Sequence, residues 1–230
     1  MIEPTLIGGL IKVLFVCIII TAAYIISTRN LLSVVSVYAI QSLTLVIIAV
    51  LLYLLDGAPV LIAIALITFA SKVLIIPYFI GTIQEKIRIK RDIEFHFLSP
   101  TTSLILSMAL MLLVYIALSK VMAVTAPREN LFFFGAVLGI SLMLMGMMVT
   151  FSRKRALTKV LGFLSMENGV LLFGLFVTEL PFIIEFLIII DLIILVLLTT
   201  ILTVGLDSTL EDYHKRLHRF HLWEDSEDAR

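Results

Sequence analysis

Three ionisable residues lie in the middle of stretches that are apolar enough to cross a membrane: Lys72, Glu167 and Asp191. A charged side chain at the centre of a bilayer costs about 2.5–3.5 kcal/mol on insertion scales. Burial of a carboxyl group favours the protonated form, whereas a nearby lysine favours the ionised form. A carboxyl group that alternates between such environments can take up and release a proton. These residues therefore predict proton or ion movement, with a purely structural buried ion pair as the alternative.

Uncharged polar residues accompany these charges. Glu167 is flanked by Ser165 and Asn168, and Tyr38 and Gln41 lie at a depth similar to that of the lysine. Their side chains can hydrogen-bond the lysine, a chain of water molecules or a neighbouring helix. Small residues let helices approach closely in a membrane. Three glycines predict such an approach near the glutamate: Gly162, Gly169 and Gly174.

Two features distinguish the third and the last apolar stretches. Pro77 follows Lys72 and frees a backbone carbonyl one turn earlier, so we expect a distorted helix there. Glu185 precedes Asp191 by six residues, which places the two carboxyl groups about 120° apart around a helix. The two groups therefore face different surroundings, and the sequence leaves open which of them dominates.

The composition is that of a membrane protein. The chain of 230 residues is 61% hydrophobic and 15% charged, with a mean hydropathy of +1.15, whereas soluble domains contain about 25% charged residues. The net charge is zero, which favours no nucleic-acid partner. Cys17 is the single cysteine, so no intrachain disulfide can form. The first apolar run is too long for a signal peptide, and we expect it to remain as a helix.

Seven stretches have the length of about 20 apolar residues that a spanning helix needs. We therefore predict an all-α polytopic membrane domain over residues 1–204, followed by an amphipathic cytoplasmic tail over residues 205–230. The predicted spans are Pro4–Ile26, Leu31–Leu55, Ala58–Ile83, Pro100–Val121, Leu131–Phe151, Ala156–Thr178 and Pro181–Val204.

The basic residues predict the orientation. With seven spans, 13 lysines and arginines fall in the odd-numbered loops and the tail, and 2 fall on the opposite side. Because cytoplasmic loops carry the excess of basic residues, the N-terminus is predicted outside and the C-terminus inside.

The sequence offers little for cofactor chemistry. It has no glycine-rich phosphate loop, and its single cysteine cannot hold an iron–sulfur cluster. The histidines lie in loops or in the tail rather than in the spans, where an axial haem ligand would stand. We therefore expect no cofactor, no resident metal and no catalysis by this chain alone.

Several segments resemble hydrogenase-4 component E. The segment GFLSMENGVLLFGL, the later segment ELPFIIEFLIIIDLIILVLL, and the shorter YAIQSL and ASKVLIIP carry the resemblance. Component E looks like an extended form of the small K-type subunit of respiratory complex I and of the C-type subunit of Mrp cation antiporters. The resemblance implies that the last three spans correspond to the small subunit, with Glu167 and Asp191 standing for its membrane glutamates. The register of Glu167 differs by about one turn, and Asp191 stands where a glutamate is usual.

The resemblance implies a non-catalytic membrane subunit of a complex I-like assembly, such as a group 4 [NiFe] hydrogenase or a formate hydrogenlyase, in a prokaryotic cytoplasmic membrane. The implied partners are antiporter-like and H-type membrane subunits, and the implied role is proton or sodium translocation. The alternatives are a passive scaffold, a self-contained secondary transporter and a seven-helix receptor. A secondary transporter usually shows paired broken helices, whereas Pro77 is the only such interruption in this sequence. No motif in the sequence supports a receptor.

Overall fold

The structure is a computed structural model that describes residues 4–28, 30–87, 99–122, 130–153 and 156–177, together with 189–191, 193, 194, 196 and 200. These residues form helices with short connections and no β-strand. The helices are α1 Pro4–Ser27, α2 Leu31–Asp56, α3 Pro59–Thr68, a π-helix Phe69–Ile75, α4 Ile76–Ile87, α5 Pro100–Met122, α6 Asn130–Ser152 and α7 Ala156–Val177.

Six of the described segments are long and apolar enough to cross a membrane. They coincide with the first six predicted spans, and α3, the π-helix and α4 together make the third. The all-helical membrane class is therefore confirmed. The seventh predicted span lies mostly outside the described residues, although its described positions are helical. The tail over residues 205–230 and most of the loops also lie outside them.

Local sequence signals set several helix ends. Gly57 ends α2 with φ 69°, and its N–H donates to the carbonyl of Tyr53 over 2.8 Å. Glycine favours this left-handed conformation, and Pro59 then opens α3 at a position that needs no backbone donor. Ser99 precedes Pro100 and accepts a hydrogen bond from the N–H of Thr102 over 3.2 Å, which caps α5.

The third span departs from regular α-helix where the sequence predicts a distortion. The residues around Lys72 form a π-helix, and the N–H of Ile76 donates to the carbonyl of Ser71, five residues back. Pro77 has no N–H and cannot continue the regular ladder. The sequence predicted the place of the distortion but not its form, since a proline more often bends a helix than widens it. Single turns of π-helix are frequent at functional sites.

α6 and α7 form a closely packed antiparallel pair. A Cβ added at Gly139 would lie 2.5 Å from the backbone nitrogen of Phe173, and one added at Gly162 would lie 2.7 Å from that of Thr150. A Cβ at Gly169 would overlap the backbone of α6 as well. The predicted close approach is therefore confirmed at Gly162 and Gly169, and α6 supplies the matching glycines. This contact leaves another face of α7 to meet α2, and Glu167 and Asn168 on that face contact Lys72 of the π-helix.

Arg153 connects the C-terminal ends of α1 and α6. Its side chain is 4% exposed and donates to the carbonyls of Ile25, Ile26 and Thr28 over 3.4, 3.1 and 2.8 Å. These carbonyls at the end of α1 have no partner within their own helix. The first and fifth spans therefore end on the same side, as the alternating topology predicts. Absolute orientation stays a prediction.

Candidate functional site

A buried ion pair lies at the middle of the helical bundle. The Lys72 Nζ is 2.9 Å from the Glu167 Oε1, and the two side chains are 0% and 1% exposed. Apart from this contact with Lys72, the carboxyl oxygens of Glu167 make no well-aligned hydrogen bond to another described residue. The lysine also donates to the Oδ1 of Asn168 over 3.4 Å. The predicted coupling of Lys72 to a membrane carboxyl group is therefore confirmed, and the carboxyl group is that of Glu167.

Asp191 belongs to the same cluster. Its side chain is 6% exposed, and its carboxyl group acts on that of Glu167 both as a charge and as a potential hydrogen-bond partner. Neither oxygen of Asp191 makes a hydrogen bond to another described residue. Ile194, one turn later, is also buried, whereas Ile193 and Val196 are exposed. The described part of the last apolar stretch therefore turns Asp191 and Ile194 towards the bundle and Ile193 and Val196 outwards.

A chain of amide and hydroxyl groups continues from the ion pair to α1. The Nδ2 of Asn168 donates to the Oε1 of Gln41 over 3.2 Å and to the Oγ of Ser42 over 3.0 Å. Ser165 donates to the same Gln41 oxygen over 3.3 Å. The Nε2 of Gln41 donates to the Thr21 Oγ1 over 3.4 Å. These buried polar groups join α7, α2 and α1 across the centre of the bundle.

Tyr38 completes the cluster. It is fully buried, and its hydroxyl lies close to Ser42 and within electrostatic range of Glu167 and Asp191. The hydroxyl makes no well-aligned hydrogen bond to another described residue. A buried hydroxyl without such a bond is costly, so the cluster holds polar groups that its described neighbours leave unsatisfied.

The local structure explains why these groups meet. The π-helix places Lys72 against α2 and α7, since the widened turn shifts the face that its residues present. The glycine contacts fix α7 against α6 through residues such as Met166 and Gly169. Glu167 and Asn168 lie between Met166 and Gly169 in the chain, about 100° and 200° round the helix from Met166, so they lie on the side of α7 away from α6 and face α2 and the π-helix.

The sequence predictions and the structure agree on most of the site. Lys72, Glu167 and Asp191 come together, and all four supporting polar residues lie beside them. Gln41 reaches the lysine only through Asn168, not directly. Glu185 lies outside the described residues, so the question of whether Glu185 or Asp191 dominates in translocation stays open.

Sequence reasoning missed Thr21 and Ser42. Hydroxyl groups in membrane helices commonly bond a carbonyl of their own helix, and Thr21 does so with the carbonyl of Cys17 over 2.9 Å. Thr21 gives no sequence signal that separates this local role from its contact with Gln41. Ser42 follows Gln41 directly, and this adjacency was the only signal.

Comparison of the chain with protein-family models, with curated proteins and with solved structures finds no match. The resemblance to hydrogenase-4 component E therefore stays a hypothesis. The chemistry of the site has to be argued from its own geometry.

The geometry is suited to holding a mobile proton. Two carboxyl groups and one ammonium share a site with almost no solvent exposure. Two neighbouring carboxylates resist simultaneous ionisation, and the cluster is electrically neutral when the pair shares one proton. In the part of the chain that the structure describes, no three histidine, cysteine or acidic side chains are grouped to hold a metal ion.

Proposed function

We propose that this chain is a membrane subunit that contributes the Lys72, Glu167 and Asp191 cluster to proton or sodium translocation, coupled to redox chemistry in partner subunits. The observation that carries the proposal is the buried Lys72–Glu167 pair, 2.9 Å apart, with a second carboxyl group beside it. Ionisable groups at membrane depth are rare and commonly mark proton or ion pathways.

The net charge of the Lys72, Glu167 and Asp191 cluster supports the binding and release of an ion rather than a permanent ion pair. One ammonium can compensate one carboxylate, so the second carboxyl group either binds a proton or a small cation, or leaves a net negative charge in hydrocarbon. An isolated charge in such a medium is far costlier than a neutralised one. Release of the ion from the pair is therefore coupled to a change near Lys72, such as displacement of the ammonium from one carboxyl group to the other.

A passive scaffold explains the cluster less well. A structural ion pair is favourable only when its remaining lone pairs are hydrogen-bonded. Here Lys72 contacts one oxygen of Glu167, the other carboxyl oxygens of Glu167 and Asp191 have no aligned donor among the described residues, and the lysine lies in a π-helix rather than a regular one. Conformationally irregular backbone next to unsatisfied charged groups favours a site that changes state.

A self-contained transporter is also the weaker candidate. Such proteins usually carry two interrupted helices in corresponding positions of two repeats. Among the described spans only the third is interrupted, at Phe69–Ile75. Only 17% of the most apolar 18-residue window of α5 is buried within this chain, so most of this helix faces lipid or other subunits. These features support a role within an assembly.

The resemblance to hydrogenase-4 component E identifies the proposed assembly as complex I-like, such as a group 4 [NiFe] hydrogenase or a formate hydrogenlyase. The proposed partners are antiporter-like and H-type membrane subunits in a prokaryotic cytoplasmic membrane. Electron transfer takes place in those partners, and this chain holds no cofactor of its own.

Two measurements test the proposal. Extraction in mild detergent should recover the chain with redox subunits. Recovery of the chain alone with full transport activity would favour the self-contained transporter.

In sealed vesicles, Glu167→Gln should assemble and keep uncoupled electron flow but lose most ion movement. Glu167→Asp should retain part of it because the carboxyl group survives at a shorter reach. Asp56→Asn is the matched control, since Asp56 is exposed at the end of α2. Full ion movement in the Gln variant would place Glu167 outside the path.

A further inference from the structure

An apolar groove of about 520 Å³ lies between α1, α5 and α6, apart from the buried charges. Phe15 and Ile19 line it from α1, and Met108, Met111 and Tyr115 line it from α5. These residues recur at three-, four- and seven-residue spacing, so each helix presents one continuous stripe to the groove. The volume is within the range of about 300–1,000 Å³ that is typical of ligand sites.

The groove runs along the central parts of α1 and α5. The stripe from Lys12 to Ile19 covers seven residues, which corresponds to about 10 Å of helix. One leaflet contributes about 15 Å of hydrocarbon, half of the roughly 30 Å core. A single acyl chain that lies parallel to the helices matches this shape. α5 has the lowest buried share of the six spans, 17%, so its side of the groove faces the surroundings rather than other described helices.

Lys12 gives the groove a charged end. It lines the groove, its side chain is exposed, and it makes no ion pair with any described residue. It lies eight residues after the first residue of α1, which is about 12 Å along the helix. A lysine at this depth extends its alkyl chain along apolar surface and places its ammonium at the interface. The ammonium therefore marks the headgroup end, and the apolar stripe lies deeper.

We propose that this groove binds one anionic phospholipid, with an acyl chain against Phe15, Ile19 and the methionines and the phosphate against Lys12. The lining offers no buried polar group to orient a quinone ring or a peptide backbone. Methionine side chains adapt to irregular apolar partners, which suits acyl chains of varied length. The site is independent of the proposed ion translocation and uses none of its residues.

The test measures lipid contact at the groove in the full chain. Leu112 lines the groove and is 60% exposed, so Leu112→Trp in a Trp223→Phe background reports there. Quenching by brominated phosphatidylglycerol is compared with quenching by brominated phosphatidylcholine in reconstituted vesicles. We expect about a fivefold preference for the anionic lipid, the factor that corresponds to roughly 1 kcal/mol for one lysine near an anionic surface.

Variants assign that preference. Lys12→Gln should bring the preference to about one, whereas Lys12→Arg should retain it. Lys120→Gln is the matched control, because Lys120 is an exposed lysine on α5 outside the groove and its loss should change nothing. Equal quenching by the two lipids in the parent, or a preference that survives Lys12→Gln, would overturn the proposal. Absence of quenching by either lipid in the assembled complex would overturn it too, since a partner subunit would then cover the groove.

Discussion

Removing the charge of Lys72 should destabilise the protein strongly, and removing its partner as well should restore much of the loss. Lys72→Met leaves two carboxyl groups buried beside an apolar side chain. Breaking a buried pair in this way costs about 3–5 kcal/mol. The reasoning requires only that the Lys72–Glu167 contact of 2.9 Å be formed in the folded protein, where both side chains are at most 1% exposed.

Glu167→Gln alone should cost less. The amide has the same size, its oxygen can accept a hydrogen bond from the lysine, and Asp191 remains as a counter-charge. We expect about 1.5–3 kcal/mol, the range for hydrogen bonds to charged groups. The double variant Lys72→Met with Glu167→Gln replaces both partners by uncharged side chains of similar size, which is often nearly neutral. The coupling energy then equals the sum of the two single losses, about 4.5–8 kcal/mol, which exceeds the roughly 0.5–3 kcal/mol usual for residues in contact.

Unfolding free energies of the four proteins in mixed detergent micelles measure this coupling. The control cycle pairs Lys72→Met with Asp56→Asn, an exposed residue at the end of α2, and its two effects should add to within about 0.5 kcal/mol. Additive effects of Lys72→Met and Glu167→Gln would show that the ion pair is not formed, because residues in direct ionic contact do not contribute independently to stability.

Three further predictions concern topology and packing. In a chain without its native cysteine, Gly57→Cys should be labelled from outside and Lys154→Cys from inside. The reverse pattern would contradict the predicted orientation. Gly139→Ala should lower the unfolding free energy by about 1–3 kcal/mol, since the new Cβ would lie 2.5 Å from the backbone of α7. Gly8→Ala is the control: its Cβ would meet open space, so the unfolding free energy should change little. Arg153→Ala should cost about 1.5–3 kcal/mol through its lost bonds to the end of α1, and unchanged stability in detergent would contradict that role.

The sequence predicted the six described spans to within a few residues because each is a long apolar run between short polar breaks. Signals such as Gly57 and Pro100 mark the ends directly. The order of helices in space was not predictable from the sequence. Membrane helices are apolar on every side, so hydrophobic patterning does not show which face meets a neighbour.

The candidate site was predictable in its members and not in its connections. Lys72 and Glu167 stand out because charge in hydrocarbon is rare, and charge alone predicts that the lysine meets a carboxyl group but not which one. Asn168 lies between the lysine and Gln41 because the π-helix and the glycine contact of α7 set the facing surfaces. A π-helix depends on the balance of backbone hydrogen bonds over several residues, and Pro77 alone does not determine it.

Removing the charges of the cluster distinguishes a role in ion translocation from a purely structural role more directly than any other change. The neutral double variant Lys72→Met with Glu167→Gln keeps side-chain volume and removes the buried pair, so the complex should assemble. The decisive measurement is proton or sodium movement in sealed vesicles, expressed per assembled complex while electron flow is driven at the same rate. It tests whether the Lys72–Glu167 pair takes part in ion translocation. Our account predicts that movement falls to a small fraction of that of the parent complex. Full ion movement by the assembled double variant would contradict it and leave the pair as a structural element.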